Sequence, residues 1–304
     1  MRFTTNNLPK RAISKIRRMI AASSGSSAYW SVHAVANETF TTREQSLHHF
    51  RWRSEQYVDY LNLMPVHGRD GLVVLDYGCG PGNDLVGFVE FSKPKSLIGV
   101  DVSLLSLGIA KKRLSLHNGQ VNFAQISEKQ TQLDLLSESV DVVHTSGVLH
   151  HVLDLPSTLS ELYRILRVGG ELRVMVYNYE SIWLHLNTGY LERKKRKDFS
   201  KDISDFEIFK TTTDGKECPI ARCYRPEAFV KMVLDSGFKA GEFLGAAISM
   251  HELSIMDNRF EAIADRRLDP IHRNFLLNLK FDERGIPQIG EANAGFAACY
   301  VFRK

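Results

Sequence analysis

From Leu72 onward, apolar runs alternate with amphipathic stretches, which predicts a parallel sheet joined by crossover helices. Leu72 to Asp76 reads as the first strand, followed by a glycine loop and a helix through Phe91. Leu97 to Asp101 is the second strand, and Ser103 to His117 a helix with Leu104, Leu107 and Ala110 facing inward. Val121 to Ile126 and Val140 to Thr145 supply the third and fourth strands. Asp154 caps a helix that opens at Pro156, runs to Leu166 and stops at Gly169-Gly170. Glu171 to Tyr177 is the fifth strand. The regularity then breaks over residues 179–222 and returns with a helix from Pro226 to Asp235. Phe243 to Ser249 and Gly295 to Phe302 complete the pattern as strands six and seven. Between them lies a second insertion, helical around Asn258 to Arg267 and Ile271 to Leu279. Upstream, a helix is predicted from Arg43 to Leu63, docked by Phe50, Trp52 and Tyr57.

Composition changes this picture little. With 43% hydrophobic and 24% charged residues, the 304-residue chain has the make-up of a globular protein. No run approaches the roughly 18 consecutive apolar residues of a spanning helix, and the N-terminus lacks the apolar core of a secretory signal. Cys79, Cys218, Cys223 and Cys299 follow no zinc-ligand spacing, so reduced thiols and no metal are expected. Charge is informative by its location. Residues 1–37 carry six basic residues and no acidic one, and without them the formal charge of +4 becomes −2. The stretch reads as a solvated arm, as a basic helix from Pro9 to Ala22 on an anionic membrane surface, or as an organelle transit segment. A cytoplasmic protein is the expectation, with organelle targeting or peripheral membrane contact as alternatives. The near-neutral remainder argues against a nucleic-acid partner.

The chemistry is concentrated in Val73-Val74-Leu75-Asp76-Tyr77-Gly78-Cys79-Gly80-Pro81-Gly82. A buried strand runs into a loop with glycine at every second position. Glycine is required where backbone approaches a ligand closely or takes positive φ. The helix that follows presents its N-terminal amides. The second strand ends at Asp101, where a carboxylate can take two ribose hydroxyls. A dinucleotide loop is the rival, but its G-x-G-x-x-G spacing differs from that of Gly78, Gly80 and Gly82. Asp76, directly before the loop, suits a cationic ligand better than a pyrophosphate.

In order, LDYGCGPG, GVDVS, SVDVVHTSGVLHHV and LYRILRVGGELRVMVYN resemble the class I S-adenosylmethionine-dependent methyltransferases. The chain is similar to the group that includes ubiquinone and menaquinone C-methyltransferases and small-molecule O-methyltransferases, over about residues 70–178. The resemblance implies a Rossmann-like, seven-stranded, mostly parallel sheet with helices on both faces and an antiparallel last strand. It implies S-adenosylmethionine as cofactor and S-adenosylhomocysteine as product. Gly78, Gly80 and Gly82 would then line its methionine part, with Asp76 near the amino group. Asp101 would bind the ribose, Val102 would lie beside the adenine, and Ser146 would face the methionine end. The usual acid after the third strand is missing, and Ser127 or Glu128 stands in its place. On the upstream helix, Arg53 or Arg51 could take the cofactor's carboxylate. Residues 1–70 would form a basic arm and helical lid, and residues 71–304 the methyltransferase domain. Insertions at about 179–222 and 251–292 would form an acceptor cap.

On the acceptor side, His150 and His151 follow the fourth strand, as a base or as an anchor for the loop. Asp214, Arg222, Tyr224, His251 and Glu252 are candidates for holding the acceptor, with His251 a further catalytic candidate. An ion pair of Asp214 with Arg222 is the structural alternative. The run Arg193 to Lys197 reads as a solvated loop or as a seat for an anionic acceptor. A small-molecule acceptor methylated on oxygen, in a sugar or natural-product intermediate, is the expected function. Methylation on carbon or nitrogen, and a non-catalytic cofactor-binding scaffold, are the alternatives. Oligomeric state is not legible.

Overall fold

The computed structural model describes residues 26–33, 38–127, 132–200 and 202–304. The basic N-terminal stretch and Glu128 lie outside the described residues. Helix α1 (Ser26–Val32) comes first, followed by α2 (Arg43–Glu55), whose N-terminal amide on Gln45 is capped by Thr42. Here the long upstream helix is interrupted. The chain extends as β1 (Tyr57–Val58), turns left-handed at Asp59 (φ 65°) and resumes as the short α3 (Tyr60–Leu63). The break has a partner: β1 pairs with the edge of the main sheet, and Gln56 accepts from the amide of Met250 at 2.9 Å.

The core follows the predicted alternation, except that Leu104 is exposed at the start of its helix while Leu107 and Ala110 face inward. β2 (Val73–Tyr77), α4 (Asn83–Phe91), β3 (Ser96–Asp101), α5 (Leu104–Ser115) and β4 (Asn122–Gln125) form its first half. β5 (Val140–Ser146), α6 (Leu155–Ile165) and β6 (Leu166–Tyr177) follow. β2 to β6 are mutually parallel, with β2 between β3 and β5. Successive residues of β2 serve opposite faces, as they must in a pleated strand. Val74 packs with Phe50, Leu85, Phe88 and Leu114, whereas Leu75 packs with Val143, Leu159, Leu162 and Phe229. Both faces of the sheet are therefore covered by helices.

After β6 the first insertion contributes α7 (Trp183–Glu192), wound as a π-helix, then α8 (Arg193–Arg196) and α9 (Asp205–Thr213). α10 (Pro226–Leu234) leads to β7 (Ala240–Ser249). The second insertion holds α11 (Met250–Ser254), α12 (Arg259–Ala264) and α13 (Pro270–Asn278). It also holds a small sheet of β8 (Lys280–Phe281), β9 (Pro287–Ile289) and β10 (Ala292–Asn293). The two insertions share one apolar core, in which Ile182, Leu186 and Tyr190 meet Leu268, Phe275 and Leu276. The basic run sits inside this unit. Arg193 is buried against Asp205 at 2.6 Å, and Lys194 pairs with Glu261.

β11 (Ala297–Arg303) inserts antiparallel between β6 and β7, so the order is β1-β7-β11-β6-β5-β2-β3-β4. The sheet thus has eight strands rather than seven, the extra one being the two-residue β1. The approach of β11 to β7 is close at Gly295, where a Cβ would lie 2.2 Å from the carbonyl oxygen of Ala247. Gly295→Ala should therefore cost about 1–3 kcal/mol through overpacking. Urea unfolding checks this, and an unchanged midpoint would mean that the two segments are not so close.

Candidate active site

The carboxyl ends of β2, β3 and β5 frame the site. β2 delivers Asp76, and the chain then turns through Gly78 (φ 79°) and Gly80 (φ 52°) into α4. The amides of Gly78 and Cys79 donate to Val100 O at 2.8 and 2.9 Å, binding the loop to β3. Asp101 closes the arrangement, taking the Gly80 amide on one oxygen (2.9 Å) and the Ser103 amide on the other (2.8 Å). A Cβ at Gly80 would meet nothing within 4 Å, because this backbone borders open space. That space is a cavity of about 320 Å³, a size that suits a small ligand. Gly82 serves packing instead. A Cβ there would strike Leu114 at 2.9 Å, so its absence lets α4 approach α5, and the residue does not line the cavity.

Beneath the loop lies a charged network. Asp84, in the first turn of α4, receives Arg53 at 2.7 Å, His144 at 3.0 Å and Tyr60 at 3.2 Å. Burial pushes its carboxyl up, but Arg53 and His144 outweigh that and hold it below the usual range. Tyr60 also bonds Ser146 at 2.7 Å, which fixes the end of β5. Asp76 has no such partners. It is buried, lines the cavity and receives no side-chain hydrogen bond from a described residue. Burial, followed by the charges of Asp84 and Asp101, raises its pKa well above the ordinary value. An uncompensated acid of this kind suits a cationic ligand.

The same cavity extends to a second half. Its lining passes Ser146 and Met175 to His151, Asp214 and the rings of Trp30, Tyr57, Tyr177 and Phe296. His151 Nδ1 donates to Ile220 O at 2.6 Å, and Nε2 lies 3.4 Å from Asp214 Oδ1. Tyr177 donates to Asp214 Oδ1 at 2.8 Å, and Tyr29 donates to the Asp214 main-chain oxygen. Trp30 packs its ring 4.7 Å from that of His151, so α1 covers this half.

Residues 69–201 match the protein family described as "Methyltransferase domain". Over these residues the chain is similar to methyltransferases. Three curated relatives illustrate the likeness. An uncharacterised 37.1 kDa protein of transposon TN4556 from Streptomyces fradiae is 30% identical over 58% of this chain and 46% of its own. The arsenite methyltransferase of Aquipseudomonas alcaligenes is 34% identical over 34% of this chain and 32% of its own. The malonyl-[acyl-carrier protein] O-methyltransferase of a Marinomonas species is 35% identical over 36% and 39%. The chain thus spans less than half the length of each of these relatives.

S-adenosylmethionine fits the residues present. The anchored Asp101 is placed for ribose hydroxyls, Gly80 leaves its backbone bare, Gly78 lines the cavity while packed close against Val148, and Asp76 suits a cation. Val102 and Ser127 line the Asp101 end, and Ser146 the middle. Arg53 lines the cavity too, but its guanidinium is paired with Asp84.

Other expected site residues stand elsewhere. His150 is fully buried and stacks on Tyr177 at 3.7 Å, and burial followed by His151 pushes its pKa well below the usual value. It is thus a neutral ring supporting Tyr177, with no face on the cavity. Arg222 does not pair with Asp214. Its guanidinium binds Val152 O at 2.5 Å and pins the loop after the histidines. Tyr224 belongs to the apolar core against Phe229. His251 is exposed, with its ring against Trp183. Glu252 forms a capping box with Ser249 and accepts from the amide of Trp183, and burial pushes its carboxyl up to about 7. Both lie at the start of α11, outside the cavity lining.

Asp84, Tyr60, Trp30, Tyr177 and Phe296 were not anticipated. Asp84 had a readable signal as the acid in the first turn after the glycine loop. The aromatic residues come from four separate segments and had none. Gly80→Leu should fold, losing about 1–2 kcal/mol for its left-handed backbone. It should lose at least about 100-fold in affinity for S-adenosylhomocysteine, because the new side chain fills the cavity. Calorimetry and thermal melting check both halves of this expectation, and retained affinity would place the ligand elsewhere.

Proposed function

We propose that the chain transfers the methyl group of S-adenosylmethionine to an oxygen of a small-molecule acceptor, a sugar or natural-product intermediate. The supporting observation is one continuous cavity with Asp76, Gly80 and Asp101 at one end and His151 with Asp214 at the other. One relative is named an O-methyltransferase, which accords with transfer to oxygen. The cofactor supplies a methyl group on a positively charged sulfur. Displacement there needs alignment and exclusion of water. Trp30, Tyr57, Tyr177 and Phe296 exclude water and offer flat faces to a ring. His151 takes the proton of the acceptor at Nε2, since its Nδ1 is occupied by Ile220 O. Asp214 stabilises the resulting imidazolium. The helices before residue 70 form a lid, and the insertions at about 179–222 and 251–292 form the acceptor cap, from which Asp214 reaches the cavity.

His151→Ala should lower turnover by about 10²–10⁴-fold, the usual contribution of a positioned acid–base group. Its affinity for S-adenosylhomocysteine should stay within about twofold, because the ring does not touch the Asp101 end. The assay is transfer of labelled methyl from S-adenosylmethionine into fractionated extract, with the product identified. Full activity of the variant, or a label found on nitrogen or carbon, would overturn this reading.

A further inference from the structure

The acceptor half carries an electrostatic constraint beyond the positions of its residues. A carbonyl oxygen only accepts, so the 2.6 Å contact with Ile220 O places a proton on His151 Nδ1. The opposite edge, Nε2, faces Asp214 Oδ1 at 3.4 Å. That is longer than a charge-assisted hydrogen bond of roughly 2.7–2.9 Å. Two basic atoms thus converge on one spot of the cavity wall with no short bond between them. Asp214 is fixed there by Tyr177 on Oδ1 (2.8 Å) and by Thr213 on Oδ2 (2.7 Å). An anion placed at this spot would find no lysine or arginine. Among the described residues lining the cavity, Arg53 is the sole such side chain, and it is committed to Asp84 at 2.7 Å.

We infer that the reacting group of the acceptor is a neutral hydroxyl, of an alcohol, phenol or enol, and that Asp214 excludes carboxylates. This rests on the proposed transfer to oxygen and narrows it, since a carboxylate also offers oxygen. A hydroxyl supplies the proton that the spot lacks, donating to Nε2 or Oδ1 and turning a lone pair toward the cofactor end. As the oxygen–methyl bond forms, the methyl–sulfur bond breaks and its electron pair stays on sulfur, leaving a neutral thioether. The hydroxyl proton passes to His151 Nε2, and the imidazolium lies against Asp214. A carboxylate brings no proton and sets a second negative charge beside Asp214.

The test uses the full chain saturated with S-adenosylhomocysteine and a panel of ring probes, namely phenol, anisole, benzoate and benzylamine. Calorimetry at mildly alkaline pH should show phenol binding roughly tenfold or more tighter than anisole, which lacks the proton, and than benzoate. Asp214→Asn should close the gap between phenol and benzoate while affinity for S-adenosylhomocysteine is retained. Benzoate or benzylamine binding as tightly as phenol would overturn the inference, as would a gap that persists in folded Asp214→Asn. So would failure of every probe at millimolar concentration. The wild-type panel decides the matter even if the variant does not fold. Loss of S-adenosylhomocysteine binding by the wild type would instead remove the methyltransferase reading itself.

Discussion

Asp84 is the carboxylate from which the cofactor end of the cavity is built. Arg53 comes to it from α2, Tyr60 from α3 and His144 from β5, while Asp84 itself opens α4. Four elements are thereby held at one point in the first turn of the helix that follows the glycine loop. The group is buried, so the arrangement survives only as a complete set. Removing one member of such a pair typically costs about 3–5 kcal/mol, because an uncompensated charge remains. The interruption of the upstream helix serves the same end. Without β1 and the left-handed Asp59, Tyr60 would not be turned toward Asp84 and Ser146.

Asp84 also sets the electrostatics of its neighbour. Arg53 and His144 satisfy the charge of Asp84, and that charge, with that of Asp101, adds to burial in disfavouring ionisation of Asp76. The far end is organised differently. There a histidine and an aspartate are oriented by backbone carbonyl, tyrosine and threonine, and the surrounding surface is aromatic. One end is thus matched to a cation and the other to a proton donor. The proposed methyl transfer to a hydroxyl accords with that pairing.

The sheet was legible because its strands are continuous apolar runs and its helices carry clear start signals, as at Asp154 and Pro226. The glycine loop and Asp101 were legible for a related reason. The loop backbone takes positive φ at fixed spacing, and glycine records that. β1 was not legible. Two residues embedded in helical sequence become a strand only because the edge of β7 is available to pair with them. The far half of the cavity was legible only in part. His151 and Asp214 were singled out, but the neighbours chosen with them play other roles. Arg222 pins a loop, Tyr224 fills the core, and Glu252 caps a helix. Polar residues in an insertion look alike in sequence, and packing alone separates a cap from a wall.

The proposed chemistry requires a cavity built for S-adenosylmethionine rather than for a dinucleotide, which also uses a glycine loop and an acid at the end of the second strand. Titration of the purified full chain with S-adenosylhomocysteine and, separately, with NAD tests this directly. Saturable binding of S-adenosylhomocysteine with no detectable binding of NAD is the predicted result. Binding of NAD with none of S-adenosylhomocysteine would contradict it.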